Sequence, residues 1–598
     1  MKPTLEILER IERSSKDHKD GTFTRLYRYL LREDIYYIAY QNLYANKGAT
    51  TKGVDDDTAD GFSKNYVEQL INEIKTGCYK PKPVRRISIP KKNGKTRPLG
   101  IPSFKDKLLQ EVIRMILEAI YEPIFCKESH GFRPKRSCRT ALNAIKRDFT
   151  GTVWFIEGDI QGCFDNINHE ILIKVLSTKI KDSKFINIIR LFLKSGYMEN
   201  WKYNKTYSGC PQGSIIGPIL SNIYLNEMDK KFHEIKARFD MPRPLKDVVT
   251  PQYRELDNER KKISYWINQT EGEERDKLIA KLKNIVKELR RTQSKPRTNK
   301  KIIFIRYADD WLMGVCGTKI ECEEIKKEIE EFLNDELKLN LSREKTLITH
   351  SSKKVRFLGY DIRVRRSQEV KGYKMKNGKW RKSRTLNNKV ELTVPHKDKI
   401  ERFLFDKGIV KQGKDGKLVP IYRANLQYQN DVDILKIYNA ETRGILNYYN
   451  LAVDYHTLDY FSYLMEYSCL STIAHKHNSS IRKIINLYRR NHNWAIPYET
   501  KEGTKYLAPV KIKDCRKSFK NDLIVESVIQ YMKPTVRDRL NSGVCDMCGK
   551  KHQDLLEVHV VRNLNELGNK DWELLMKKLR RKTIVVCPSC HSQIHNSN

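Results

Sequence analysis

The tetrapeptide Tyr307-Ala308-Asp309-Asp310 constrains this chain more than any other stretch. It lies between two apolar runs, Ile302, Ile303, Phe304 and Ile305 before it and Trp311, Leu312, Met313 and Val315 after it. Apolar runs separated by a few polar residues predict a β-hairpin, with both carboxylates held at the tip of a rigid, half-buried ribbon. Adjacent carboxylates resist joint ionisation unless hard cations neutralise them, and Mg²⁺ takes oxygen ligands in such sites while leaving positions for substrate phosphates. Upstream, the run from Trp154 to Phe164 reads as a strand ending in Asp159, which supplies a third acid at a strand end. Three acids on neighbouring strand ends suit nucleotidyl transfer. That reaction uses two metal ions about 4 Å apart, one activating a primer hydroxyl and the other neutralising the leaving pyrophosphate.

Further elements supply the rest of such a site. Between Pro83 and Pro102, Val84, Ile87 and Ile89 alternate with Arg85, Arg86 and Lys91, and the chain turns at Asn93-Gly94 before resuming at Thr96-Arg97-Pro98-Leu99. This is a cationic hairpin, and Lys91 and Arg97, with Arg85 in reserve, are candidates to grip a triphosphate. A helix from Lys105 to Tyr121 follows, with Leu108, Val112, Met115, Ile116 and Ala119 on one face. Ser208-Gly209-Cys210-Pro211-Gln212-Gly213 is a turn cluster leading into a helix, and its Gln212 and Gly213 are suited to lie against a flat ligand. From Asp229 to Lys301 the chain becomes highly charged, which predicts an insertion over about 230–300, a solvated or RNA-facing helical excursion. A helix over Glu323–Leu339, then Ser342-Arg343-Glu344-Lys345-Thr346 and Phe357-Leu358-Gly359-Tyr360, closes the unit. A basic, turn-rich boundary occupies 364–387, a tyrosine-rich helical region 395–490, and a polar linker 491–540.

With 598 residues the chain has length for roughly four domains. Its 114 Lys and Arg against 74 Asp and Glu give a formal charge of +40, more than solubility requires, and point to a nucleic-acid partner. The 31 tyrosines supply faces on which unpaired bases can stack. Met1 to Lys19 has no apolar signal-like core, and no uncharged run is long enough to span a bilayer, so a soluble intracellular protein with no membrane partner is expected. The 13 cysteines are odd in number and scattered except for two C-terminal pairs, which argues for reduced thiols rather than a disulfide framework. Those pairs, Cys545-x-x-Cys548 and Cys587-x-x-Cys590, suit one tetrahedral Zn²⁺. His591 and His595, at i and i+4 on a helix, face one way and with His559 could bind a further divalent metal.

Taken in order, the Asp159–Phe164 segment, Pro211-Gln212-Gly213, Tyr307-Ala-Asp-Asp and Phe357-Leu-Gly-Tyr, together with His130-Gly131-Phe132-Arg133-Pro134, resemble the palm motifs of a reverse transcriptase. The likeness extends over nearly the whole chain to group II intron-encoded proteins of bacteria. It implies an α+β multidomain fold. Right-hand polymerase fingers and palm would occupy 1–387, a helical thumb and maturase domain X 388–490, a DNA-binding segment 491–540, and a zinc-containing, ββα-metal-like HNH endonuclease domain 541–598.

By the same resemblance Asp159, Asp309 and Asp310 would be the catalytic carboxylates holding two Mg²⁺. Phe164 would be the residue beneath the sugar that excludes a 2′-hydroxyl, Gln212-Gly213 the turn packing the nucleotide, and Lys345 a lysine near the pyrophosphate. Partners would be intron RNA in a ribonucleoprotein, target DNA and dNTPs, with a dimer left open and a cytoplasmic location. One departure stands out. The HNH family usually has two adjacent histidines, a metal ligand and a general base, whereas His559 is followed by Val560. Cleavage should therefore be weak or absent. Two other readings share these motifs: a splicing cofactor that chiefly binds RNA, and a retron or diversity-generating reverse transcriptase. The intact acid triad disfavours the first, and the long cysteine-bearing extension disfavours the second.

Overall fold

The structure is a computed structural model that describes residues 3–596 apart from 47, 91–93, 95, 200–201, 207, 210–212, 242–248, 293, 295–299, 368–369, 376–377, 385–387, 491–492, 501–502, 517–534 and 553–554. Helices α1 (Thr4–Asp17) and α2 (Glu33–Tyr44) open the chain, followed by a two-residue strand β1 (Phe62–Ser63). The expected cationic hairpin is present as β2 (Val84–Pro90) and β3 (Thr96–Ile101), in a register that pairs Ile89 with Arg97. Its Ile87 and Ile89 remain exposed, so the hairpin stands out from the body. Helix α3 (Phe104–Tyr121) begins at an N-cap, Ser103, whose side chain accepts from the Asp106 amide. It is more than an amphipathic surface helix. Leu109, Ile113 and Leu117 are buried along with the expected face, because α1 and α2 cover its other side.

The palm is a four-stranded antiparallel sheet in the order β5-β6-β4-β7, formed by β4 (Trp154–Gly158), β5 (Lys301–Tyr307), β6 (Asp310–Cys316) and β7 (Ile348–His350). Alternating side chains face opposite sides of a sheet. Ile302, Phe304, Trp311 and Met313 accordingly join one core and Ile305 and Leu312 the other. Helix α4 (Cys138–Asp148) covers the second side. A short helix α5 (Cys163–Asn166) follows β4. Helix α6 (Gly217–Phe239) covers the first side of the sheet.

The charged insertion begins later than the sequence suggested. Asp229, Phe232 and Ile235 are buried as part of α6, so the excursion starts after Phe239. It then forms a helical hairpin, α7 (Pro251–Ile267) and α8 (Glu273–Arg291), with a small core of Ile263, Ile285 and Leu289. Helix α9 (Lys319–Asp335) packs beside α6.

Beyond the palm, β8 (Val355–Phe357), β9 (Tyr360–Val364) and β10 (Val390–Thr393) form one antiparallel sheet, so the chain on the two sides of residue 387 is joined by strand pairing. Helices α10 (Asp431–Tyr448) and α11 (Leu458–Lys476) lead the tyrosine-rich region. The polar linker expected from 491 is folded where it is described. Trp494, Ile496, Val510 and Cys515 are buried against these helices, and Asn439 brackets the segment by donating to the Ala508 carbonyl (2.9 Å) and accepting from the Val510 amide (2.8 Å). Apolar residues spaced through a polar stretch hid this packing.

The last unit contains β11 (Glu557–Val560), β12 (Thr583–Val586) and α12 (Pro588–Asn596). It does not stand apart from the beginning of the chain. Strand β1 pairs with β11, Phe62 opposite Val558 and Ser63 opposite Glu557, to complete a three-stranded sheet. The Phe62 ring stacks on Tyr40 of α2 at 4.0 Å, which makes one continuous core of the two ends. No helix among the described residues is long and apolar enough to cross a membrane.

Candidate nucleotidyl-transfer site and C-terminal ligand cluster

The β5–β6 hairpin pairs Tyr307 with Asp310, which leaves Ala308-Asp309 as a two-residue turn. Ala308 sits at φ 57°, a left-handed conformation that glycine would adopt without strain. Its neighbours hold it there. The Arg306 guanidinium, fully buried, donates to the Ala308 carbonyl (2.9 Å), to Asn222 Oδ1 (3.2 Å) and in a bidentate pair to Asp229 (2.7 and 2.6 Å). From the other side, the Asn222 amide donates to the Gly131 carbonyl (2.8 Å), and a Cβ on Gly131 would stand 2.3 Å from the Ala308 nitrogen. Gly131 is therefore the residue that lets a second backbone lie against the turn.

Antiparallel pairing of β4 with β6 sets Gly158 opposite Trp311 and brings Asp159 to the same sheet end as Asp309 and Asp310. Gly158 is needed there as well, because a Cβ would lie about 2.0 Å from the Trp311 ring. The Asp159 carbonyl accepts from the Ser342 amide (2.8 Å), and its carboxylate receives Lys345 Nζ at 2.7 Å. Burial raises the Asp309 carboxyl above its usual range and Asp159 adds to this, while Arg97 and Lys345 oppose it. Asp310 is pushed up to about 7 by burial, then by Asp309 and Asp159. Lys345 is raised chiefly by its hydrogen bond to Asp159. With Asp159 beside the raised Asp309 and Asp310 carboxyls, these side chains form an all-oxygen donor set, which fits Mg²⁺.

The remaining expected residues fall around this centre. Phe164 on α5 is half-buried and meets the exposed Phe132 edge-to-face at 6.0 Å, so it borders open space rather than filling a core. Gly213 has φ 106°, and a Cβ there would lie 2.4 Å from the Gly100 carbonyl, which presses the turn against β3. Arg97 acts electrostatically on Asp309, whereas Arg85 donates to the Lys52 carbonyl at 2.8 Å. Lys91 and Gln212 lie outside the described residues. Sequence reasoning missed Arg306, Asp229 and Asn222. The available signal was a lone arginine at an inward position of an apolar strand, in register with Ile302 and Phe304, since such a charge requires a buried partner.

At the other end of the chain, ligand atoms of Cys545, Cys548, Cys587 and Cys590 lie within 4.8 Å of one another. The Cys548 and Cys587 amides point at Cys545 Sγ (3.5 and 3.4 Å), as amides do around a thiolate. Four sulfurs in this arrangement fit Zn²⁺. His559, His591 and His595 also converge, and a residue not foreseen, Asp60, joins them, again within 4.8 Å. Val560 is buried in the continuous core; its amide donates to Asp60 Oδ1 (2.8 Å).

Residues 89–250 and 278–362 match the family "Reverse transcriptase (RNA-dependent DNA polymerase)", 387–520 match "Type II intron maturase", and 545–591 match "AI2M/AI1M-like, HNH endonuclease". Fold and site together define a reverse transcriptase. The chain is 50% identical over 601 residues to the group II intron-encoded protein LtrA of Lactococcus lactis subsp. cremoris, covering 99% of each. It is 33% identical to the putative COX1/OXI3 intron 2 protein of Saccharomyces cerevisiae, covering 98% of this chain and 68% of that one. It is 32% identical to an uncharacterized 91 kDa protein in the cob intron of Schizosaccharomyces pombe, covering 99% and 72%. The chain belongs to the group II intron-encoded proteins: an RNA-directed DNA polymerase carrying a maturase region and an HNH endonuclease domain.

Proposed function

We propose that Asp159, Asp309 and Asp310 are the catalytic carboxylates, and that the enzyme copies its own intron RNA after that RNA has entered target DNA. The observation that carries this is the approach of Asp159, at the end of β4, to Asp309 and Asp310, whose carboxyls are raised by burial and by neighbouring acids, on a turn that Arg306 and Gly131 fix from both sides. Two Mg²⁺ bound there would supply a lowered pKa for the primer hydroxyl and neutralisation of the pyrophosphate charge. The chain's own residues position the reactants. Arg97 and Lys345 present cations to the triphosphate, with Arg85 on the neighbouring strand of the hairpin and Lys91, next after that strand in sequence, as further candidates. Phe164 and Phe132 form an aromatic wall that admits a deoxyribose and excludes a 2′-hydroxyl, and Gly213, with Gln212 beside it, forms the floor under the base. The +40 charge and exposed tyrosines such as Tyr428, Tyr460 and Tyr463 serve intron RNA, through phosphate contacts and base stacking.

The maturase region and the residues after it would hold that RNA and the target DNA. One Zn²⁺ on the four cysteines would be structural. DNA cleavage by the HNH unit would be weak, because Val560 offers no proton acceptor where the family places its general base, and loss of such a base costs about 10² to 10⁴ in rate. Primer extension on an RNA template with Asp159→Ala tests the central assignment. Near-normal synthesis by that variant, with intron RNA still bound, would remove Asp159 from the chemistry.

A further inference from the structure

We infer that Asp60, His559, His591 and His595 form a second, closed divalent-metal site of the zinc class that ties the start of the chain to its C-terminal unit. This rests on the reading that the three histidines bind a metal and goes beyond it, because the fourth ligand comes from about 500 residues away. The contacts are those of a ligand set. Asp60 Oδ2 lies 3.1 Å from His591 Nε2 and 2.7 Å from His595 Nε2, Asp60 Oδ1 lies 3.0 Å from His559 Nδ1, and the two Nε2 atoms are 3.2 Å apart. In a tetrahedral site with bonds of about 2.0–2.1 Å, donor atoms stand about 3.3 Å apart. The four quoted contacts need only a small expansion to meet that value, and all four ligands have donor atoms within 4.8 Å of one another.

Two independent observations point the same way. His559 is 6% exposed and turns toward the other two imidazoles; its Nε2 has no hydrogen-bond partner, and its Nδ1 faces Asp60 Oδ1 at 3.0 Å without hydrogen-bond geometry. Buried imidazole nitrogens without a well-formed hydrogen bond cost free energy, and a metal bond at one of them lowers that cost. In addition, His591 Nδ1 lies 2.6 Å from Glu557 Oε2. A carboxylate on the far nitrogen is the outer support that ligating histidines usually have, because it fixes the tautomer and directs Nε2 inward.

Asp60 does not arrive by a loose loop excursion. It precedes β1, whose pairing with β11 sets the Gly61 amide on the Val558 carbonyl (3.0 Å), while Asp60 Oδ1 accepts from the Val560 amide (2.8 Å). The strand that carries His559 thus also aligns its fourth partner. Catalytic zinc-type sites keep one position for water or substrate, whereas structural ones fill all four with protein. Asp60 fills the fourth, so this site clamps the HNH unit against the fingers. It provides a second reason, separate from Val560, for poor cleavage.

The test is metal analysis of the full-length protein by elemental mass spectrometry, combined with amide hydrogen exchange. The native chain should carry two equivalents of zinc, and Asp60→Asn, close in shape but a poor ligand, should carry one. Asp60→His should restore the second. Asp60→Asn should also speed exchange at Gly61 at least tenfold, while the four-cysteine equivalent, lost only in Cys590→Ser, shows that the domain still folds. A single equivalent in the native chain, unchanged in His559→Ala, would sink the three-histidine reading itself. Two equivalents retained in Asp60→Asn with unaltered exchange, but one in His559→Ala, would overturn the role of Asp60 and leave that reading standing.

Discussion

The three palm carboxylates and the C-terminal histidine cluster solve the same problem, gathering like groups that resist being gathered, by opposite routes. Asp159, Asp309 and Asp310 come from adjacent strands of one sheet, and the strain of the Ala308-Asp309 turn is held by a buried Arg306–Asp229 pair and by the close approach of Gly131. The histidine cluster lies between chain ends, and its alignment depends on a two-residue strand. A site inside one sheet is secured by neighbours that have other reasons to be there. A site across two ends is secured only through the strand pairing and shared core that bring those ends together.

The contrast can be broken most forcefully at the acids. On the proposed assignment Asp309→Ala removes a metal-holding carboxylate worth several kcal/mol of transition-state stabilisation, so single-turnover primer extension should fall by at least about 10³-fold. Zinc content should be unchanged. Next in size is the buried pair: Arg306→Met leaves Asp229 charged without a partner and should cost about 3–5 kcal/mol. Urea unfolding followed by hydrogen exchange of β5 and β6 reads this loss. Arg306→Met combined with Asp229→Leu should recover most of it, since no orphan charge remains, and failure to recover would show that the pair does more than neutralise itself.

Gly131→Ala tests positioning without touching an acid. Its methyl would displace the Ala308 backbone by a large fraction of an ångström, and a shift of that order typically costs about 10² in rate. Extension should fall accordingly with little change in melting temperature; an unaffected rate would mean that the turn has room to move. The smallest effect is one of pH. Because Asp310 is pushed up to about 7 and must ionise to bind a cation, apparent Mg²⁺ affinity should weaken roughly tenfold per unit as pH falls below about 7 and level off above it. A titration showing no dependence between pH 6 and 8 would contradict that environment for Asp310.

Much of the first site was legible because local pattern and chemistry coincide there. Apolar runs either side of Asp309 and Asp310 gave the hairpin, Asn93-Gly94 gave another, and the cysteine spacing gave a four-sulfur cluster. Arg306 and Asp229 were harder, since 77 residues separate them and each reads alone as an ordinary surface charge. They become readable only when inward strand register is combined with the buried face of α6. Asp60 carries no signal at all: one acid in a polar stretch, Asp55-Asp56-Asp57-Thr58-Ala59-Asp60, acquires its role from pairing with a strand that only the finished fold brings near. The folded segment after 491 was misjudged for the same reason, because Trp494 and Val510 find their partners in distant helices.

The pairing of Phe62 with Val558 also sets a timetable for biosynthesis. At about 5–20 residues per second, a ribosome needs roughly 25–100 s to deliver β11 after β1 has emerged. Throughout that interval the edge of β1 and the Asp60 carboxylate wait without their partners, while the palm, whose sheet is complete by residue 350, can already fold. The join between the two ends is the last to form, and a chain that stops between residues 350 and 557 has the complete palm sheet but leaves that edge open.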